Sequence, residues 1–199
     1  MGLVILVSGG VDSTVISLLA ARDKITTYPL FVDYGQLCVD REWSACLEVH
    51  KRHNLPTPIR MNLAGFGHIV SSGLTDAALD VLKDAFLPCR NLLFAICGAS
   101  YAHTLNLDCV ALGLIDESAA IFPDQTSTFL EQAQKMIHTA TGRTIRVIAP
   151  LLSTSKAEVL AIAAYLGVTG TYSCHSGGPQ PCGQCVSCLE QIRAGKLAQ

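Results

Sequence analysis

The sequence predicts an α/β fold: a doubly wound five-stranded parallel sheet, of the kind that seats a nucleotide, with a small C-terminal zinc-binding segment. Three observations predict it. Short apolar runs alternate with longer segments of helical period, a glycine-rich turn follows the first apolar run directly, and four of the nine cysteines gather between Cys174 and Cys188. "LVILV" (Leu3 to Val7) reads as a buried strand, and Val11, Val15, Leu18 and Leu19 then recur at helical spacing to about Arg22. "YPLFVDYG" is a second strand, and a helix from about Asp40 to His53 carries Trp43, Cys46 and Leu47 on one stripe. His50 and His53 share a face of that helix and read as surface residues. "TPIRMNL" is a third, short strand. Ala64 to Leu87 has glycines, a weak helical pattern from Thr75 to Leu82 and no strong strand, so a mobile connection over the sheet is expected.

From Arg90 the pattern firms. "RNLLFAICGASYAHTL" is an apolar helix, "DCVALGL" a fourth strand, "STFLEQAQKMIHTA" an amphipathic helix and "IRVIAPL" a fifth strand. "STSKAEVLAIAAYLG" is a helix capped by Ser153 or Ser155 and stopped by Gly167. Strands alternating with helices imply right-handed crossovers and a sheet covered on both faces. The expected division is 1–170 for the nucleotide-binding α/β domain and 171–199 for the cysteine tail with a terminal helix.

At 199 residues and 50% hydrophobic content the chain has material for one compact domain with a small appendage. Only 15% of residues are charged and the net charge is -2, which leaves no basic excess for a nucleic-acid partner. No apolar run reaches bilayer length, and "MGLVILVSGG" turns into a glycine loop rather than a cleavage site. A cytoplasmic protein is expected. Reducing conditions there disfavour disulfides, so the clustered cysteines point to metal. Cys38, Cys46, Cys97 and Cys109 read as small core residues; Cys89 is set apart from them.

"SGGVDS" stands in the first strand-to-helix turn, the favoured phosphate seat of such a sheet. Gly9 and Gly10 allow close backbone approach, Ser8, Ser13 and Thr14 add hydroxyls, and the following helix points its free N–H groups at the same spot. That dipole end favours an anion by up to ~2 kcal/mol. Neither the lysine-bearing loop of hydrolysing NTPases nor G-x-G-x-x-G is present. The loop resembles the SGGxDS pyrophosphate loop (PP-loop) of the ATP pyrophosphatase superfamily, whose members cleave ATP between the α and β phosphates and transfer AMP to a substrate oxygen.

Cys174, Cys182, Cys185 and Cys188 form C-x7-C-x2-C-x2-C, and four thiolates at that density match a closed tetrahedral zinc site. Such a site leaves no position for a reacting water, so its role is structural. An iron–sulfur cluster is the rival reading. His175, beside Cys174, reads as a bystander.

The loop, "VDYGQ" (Val32 to Gln36), "RNLLF" (Arg90 to Phe94), "PL" with "SKAEV" (Pro150 to Val159) and the cysteine tail occur in order. Together, from Leu3 to Arg193, they resemble the 7-cyano-7-deazaguanine synthase family. The resemblance implies an AMP-forming carbon–nitrogen ligase that adenylates 7-carboxy-7-deazaguanine and converts it with ammonia, through an amide, to a nitrile on the queuosine route. It implies ATP, magnesium and zinc as cofactors, and a homodimer. Within it Ser8, Gly9, Gly10, Val11, Asp12 and Ser13 are the expected phosphate contacts. Asp33 lies beside the expected adenosine site. The expected catalytic residues are Asp12, Arg90, Lys156 and Asp124: Lys156 and Arg90 to meet anions, Asp12 and Asp124 for magnesium. The alternatives for them are a first-turn lysine in solvent, a surface cap, an acidic helix start and a loop aspartate capping the next helix.

Departures fall after the fourth strand. Where the family reads G-V-N-A-x-D-Y-S-G-Y-P-D-C-R, this chain reads "GLIDESAAIFPDQT": Gly113, Pro123 and Asp124 match, whereas Ile115 and Ser118 replace Asn and Asp, and Gln125-Thr126 replace Cys-Arg. Cys89 replaces the glycine of "PGRN", and Leu37 a basic residue. A divergent member that stops at the amide, joining the deazaguanine carboxylate to another amine such as one on a partner protein, is therefore the alternative. Sulfur transfer to tRNA and non-catalytic nucleotide sensing are the readings from other classes.

Overall fold

The computed structural model describes residues 2–197, and the side chains of residues 2–195. Met1 and the last two residues of the expected 171–199 tail lie outside them. Five parallel strands, β1 (Gly2–Leu6), β2 (Thr26–Asp33), β3 (Ile59–Asn62), β4 (Cys109–Ala111) and β5 (Arg146–Ile148), form one sheet in the order β3-β2-β1-β4-β5. The doubly wound parallel architecture expected from the alternation is the one observed. Among the described residues seven α-helices surround it: α1 (Val11–Arg22), α2 (Val39–Arg52), α3 (Gly65–Ile69), α4 (Arg90–Thr104), α5 (Ser127–Thr141), α6 (Lys156–Tyr165) and α7 (Val186–Leu197).

The strand order reverses at β1, so the loops after β1 and β4 part at the carboxyl edge and leave a crevice. Both faces are apolar. Val4, Leu6, Leu30 and Val110 pack under Ala95, Ala99 and Ala102 of α4 and Leu130, Ala133 and Ile137 of α5. Ile5, Val7, Phe31 and Ala111 pack under Val11, Val15 and Ile16 of α1, Cys46 of α2 and Val159 of α6.

Local chemistry fixes where helices start. Ser155 caps α6: its Oγ accepts from Glu158 N–H at 3.3 Å and Glu158 Oε2 accepts from Ser155 N–H at 2.8 Å, a reciprocal box that places Lys156 at the first helical position. Gly167 follows that helix with φ +68°. Helix α4 starts differently, from Cys89 in the left-handed region at φ 62°. A glycine suits that backbone better, which gives a physical reason for the family residue that Cys89 replaces. Cys89 is exposed, whereas Cys38, Cys46, Cys97 and Cys109 are buried.

Three expectations need correction. Thr75 to Leu82 forms turns rather than a helix, because Asp76 Oδ1 accepts from Ala78 N–H (2.9 Å) and Asp80 Oδ1 from Leu82 N–H (2.9 Å) and Lys83 N–H (3.0 Å), which competes with the helical ladder. The connection is also built into the core: Leu74 and Leu87 are each 2% exposed and pack with Tyr34, and Leu37 N–H donates to Leu74 O at 2.9 Å. His50 is likewise buried rather than superficial, its Nδ1 2.7 Å from Pro56 O.

Helix α4 lies so close to the sheet that a Cβ at Gly98 would sit 2.5 Å from Val110 Cγ1 and 2.8 Å from Leu6 Cδ2. Gly98→Val is therefore expected to destabilise the fold by about 1–3 kcal/mol. A clear fall in melting temperature checks this; an unchanged one contradicts the close packing.

Candidate active site

At the carboxyl edge a cavity of about 740 Å³ lies between the loop after β1, the ends of β2 and β4, and the cysteine tail. The loop builds its wall. Gly10 N–H donates to Ser8 Oγ and Ser8 N–H to Ser13 Oγ, both at 3.3 Å, while Thr14 Oγ1 donates to Gly10 O at 2.8 Å. Helix α1 begins at Val11 with Gly10 as its N-cap and no side-chain cap, so its first-turn N–H groups keep the capacity to meet an anion. Gly9 has φ +76°, and a Cβ there would lie 2.5 Å from Glu42 O and 2.7 Å from Cys46 N. Its carbonyl accepts from Tyr172 N–H at 2.9 Å. Only glycine lets the loop lie between α2 and the tail.

Two groups of charged residues line the cavity. In the first, Lys156 Nζ donates to both oxygens of Asp12, at 2.8 and 2.9 Å. The capped start of α6 and the start of α1 thus meet side by side, and a cation that the α6 dipole disfavours is held by a carboxylate that the α1 dipole favours. Glu190 and Arg193 reach the same region from α7. Burial raises the Glu190 carboxyl above its usual range; the positive charges of Lys156 and Arg193 oppose the rise, and the carboxylates of Asp12 and Asp116 add to it.

The second group is Tyr34, Gln36, Glu42, Arg90 and His175. Arg90 opens α4, and among the described residues no carboxylate lies within ion-pair distance of its guanidinium. Burial pushes the Tyr34 hydroxyl up, partly offset by the Arg90 charge. Burial also raises the Glu42 carboxyl to about 7, against hydrogen bonds from Gln36 and Cys38 and the charge of Arg90. His175, expected as a bystander to the cysteine site, is not part of that cluster, and it lines the cavity with a buried Nδ1 that has no hydrogen-bond partner among the described residues. Burial and then the charge of Arg90 hold that imidazole down to about 4, so it is neutral.

The residues expected at the site are thus placed unequally. Ser8, Asp12, Ser13, Arg90 and Lys156 line the cavity. Gly9 and Gly10 shape the loop, and Val11 sends its side chain into the core. Asp33 is turned away: it is 4% exposed, Arg60 Nη2 donates to its Oδ2 at 2.7 Å, and Gly35 N–H donates to its Oδ1 at 3.1 Å. Asp124 is also outside the lining. It anchors α4, its Oδ2 accepting from Asn91 N–H at 3.3 Å and its carbonyl from Asn91 Nδ2 at 3.0 Å. In the altered stretch Ile115 bridges to Leu151, and Asp116, φ 45°, supplies the carboxylate that lines the cavity. Sequence reasoning passed over Gln36, Glu42, Asp116, Glu190 and Arg193. The polar positions of α2 and α7 that face a crevice look, in the sequence, like an ordinary solvent face.

In the tail the four sulfurs of Cys174, Cys182, Cys185 and Cys188 all lie within 4.8 Å of one another. Cys182 N–H donates to Cys174 Sγ and Cys185 N–H to Cys182 Sγ, both at 3.3 Å, and Cys188 N–H to Cys185 Sγ at 3.4 Å. Burial opposes ionisation of Cys174, but bonds from Ser176 and Cys182 outweigh it and bring the thiol down to about 6. Cys188 is pushed up to about 12 by burial and the neighbouring Cys185. Four thiolates cannot coexist there without a cation. The spacing suits one tetrahedral ion, for which sulfurs stand about 3.8 Å apart.

The fold and site define an α/β protein of PP-loop architecture with a metal-competent tail. The architecture is shared with solved structures of low identity: an NMN synthetase from Francisella tularensis (TM-score 0.54, 18% identity, 99% of this chain and 76% of that one) and the U34-tRNA thiolase NcsA from Methanococcus maripaludis with its 4Fe-4S cluster (TM-score 0.52, 16% identity, 99% and 65%). The family model described as Queuosine biosynthesis protein QueC matches residues 2–198, and the chain belongs to that family. Its curated relatives include 7-cyano-7-deazaguanine synthases from Acidobacterium capsulatum (31% identity, 96% of this chain and 90% of the relative) and Acetivibrio thermocellus (31%, 98% and 93%). A protein named 7-cyano-7-deazaguanine synthase 2, from Desulfitobacterium hafniense, is 32% identical over 96% of this chain and 86% of its own.

If a metal orders the tail, stripping it with a strong chelator removes a contribution on the order of 10 kcal/mol. Hydrogen exchange is then expected to show residues 174–195 losing protection while β1, β2 and β4 keep theirs. Unchanged protection in the tail contradicts the assignment.

Proposed function

We propose that the protein is an AMP-forming, ATP-dependent carbon–nitrogen ligase that converts 7-carboxy-7-deazaguanine and ammonia, through the amide, to 7-cyano-7-deazaguanine. The relatives' names supply the substrate class. The observation that carries the reading is that the glycine loop, the Lys156–Asp12 pair and Arg90, which has no carboxylate partner among the described residues, share one cavity of small-molecule size.

A carboxylate is a poor acyl donor because its leaving group would be oxide. Transfer of AMP to that oxygen makes the phosphate ester of AMP the leaving group. Ser8, Ser13 and the N–H groups that open α1 hold the phosphates and meet charge building on departing pyrophosphate. Lys156 serves the same anion as a point charge, exchanging its contact with Asp12 for phosphate oxygens. Arg90 receives the substrate carboxylate before adenylation. Nitrogen attack on the acyl adenylate gives the amide, and adenylation of the amide oxygen with loss of AMP gives the nitrile.

Magnesium fits this donor set. Among the described residues the cysteine cluster is the only group of three or more ligands, so an ion at the phosphates would be held by Asp12 together with phosphate oxygens. It would supply charge neutralisation during pyrophosphate departure. Zinc is our reading of the tail metal, because sulfurs this close leave no room for four irons and four sulfides between them. We place nucleotide binding in 1–170 and metal binding in 171–199. Among the described residues no helix is long and apolar enough to cross a membrane.

Purified protein with magnesium, ATP, 7-carboxy-7-deazaguanine and ammonia is expected to give nitrile with two AMP and two pyrophosphate per product, read by mass spectrometry. Lys156→Met is expected to lower AMP formation by about 100-fold or more. An amide that accumulates without nitrile moves the reading to the alternative ligase with a different amine acceptor. ATP bound without turnover ends both.

A further inference from the structure

Glu42 is a titratable group in the cavity wall that phosphate binding does not use. It stands on the first turn of α2, beside the glycine loop: the Gly9 Cα is so near that a Cβ would be 2.5 Å from Glu42 O. Its side chain is held by Gln36, whose Nε2 donates to Glu42 Oε2 at 3.0 Å and to Val32 O at 3.4 Å. Gln36 Oε1 accepts from Tyr34 N–H at 2.9 Å, which fixes the amide orientation. Arg90 is near enough to be felt but makes no ion pair with Glu42. The carboxylate is thus pinned in position, faces the cavity and keeps its capacity to accept a proton.

We propose that Glu42 is the general base of carbon–nitrogen bond formation, with Gln36 as the residue that positions it. The inference rests on the ligase reading above. Ammonia attacks the acyl-adenylate carbon, the C–N bond forms, and the added nitrogen becomes cationic. Glu42 takes one proton from it, and the C–O bond to AMP breaks with its electron pair leaving on AMP. Without that proton transfer the intermediate expels ammonia more readily than AMP.

Burial supports the role, since a carboxyl raised to about 7 accepts a proton at neutral pH and returns it to water afterwards. The groups that face Glu42 are Cys38 just before α2, Cys46 from α2 itself, Tyr34 and Gln36 from the β2 loop, and Arg90 from α4. Burial raises Tyr34, Cys38 and Cys46 well above neutrality. Among these groups an inflection near neutral pH belongs to Glu42, and its loss in Glu42→Gln distinguishes it from Glu190 across the cavity.

The test replaces ammonia with hydroxylamine, which is largely unprotonated at neutral pH, and reads the hydroxamate. Adenylation is followed separately as substrate-dependent exchange of labelled pyrophosphate into ATP. In the wild type hydroxamate formation should rise with pH and level off, half-maximal near 7. Glu42→Gln should lose about 100-fold more in hydroxamate formation than in exchange, and lose the inflection. Glu42→Asp should be slower but keep it. Equal losses in both half-reactions, or an inflection near 7 that survives in Glu42→Gln after the nucleophile's own protonation is divided out, overturns the base role. A wild type with no substrate-dependent exchange overturns the ligase reading and this inference together. Folding is controlled by melting. A carboxyl raised by burial weakens the fold as pH rises from its ordinary value towards 7, so Glu42→Gln should melt no lower than the wild type at pH 8.

Discussion

The contact on which the site depends is the passage of Gly9 between α2 and the cysteine tail. A side chain at that position would run into Glu42 O and Cys46 N, and the positive φ would strain it further. On its other side the Gly9 carbonyl takes a hydrogen bond from Tyr172 N–H, two residues before the first metal-competent cysteine. Three parts distant in sequence are therefore held by one residue. The loop gains a fixed shape, α2 presents Glu42 to the cavity, and the tail is drawn close enough for His175, Glu190 and Arg193 to form its wall.

The protein carries few charges, and several of them meet in this cavity. Lys156 and Asp12 neutralise one another there, and Glu190 is raised by burial even with Lys156 and Arg193 nearby. In the ligase reading proposed above, incoming phosphate competes for Lys156 and releases the Asp12 carboxylate. On the opposite wall, among the described residues, Arg90 has no carboxylate partner and His175 is kept neutral with a ring nitrogen that makes no hydrogen bond. Unpaired polar groups in an apolar pocket are destabilising on their own, and a polar ligand offsets that cost. A metal bound by the four cysteines would have a second consequence: by ordering α7 it would order part of the pocket.

What could be read from the sequence follows from the range of each interaction. Strand and helix periods are local, and they led to the five parallel strands; the box formed by Ser155 and Glu158 is equally local and located Lys156. The loop and the cysteine spacing carried the family resemblance because both compress their chemistry into a few residues. Other features depend on long-range packing. Asp33 looked like a ligand contact, but Arg60 from the neighbouring strand occupies it. Asp124 fastens α4 instead of facing the cavity, because Asn91 lies opposite it across the fold. The segment before Arg90 looked loose until Leu74 and Leu87 were seen against Tyr34. Glu42 and Glu190 gave no signal at all, since an exposed glutamate and one beneath a loop have the same sequence pattern.

The central claim is that a substrate carboxylate is adenylated in this cavity, and oxygen labelling tests it most directly. Protein supplied with ATP, ammonia and 7-carboxy-7-deazaguanine carrying heavy oxygen in its carboxylate should place the label in AMP and none in pyrophosphate. Unlabelled AMP, or label in inorganic phosphate, would mean that ATP is opened by water or at another phosphate, and would contradict the account.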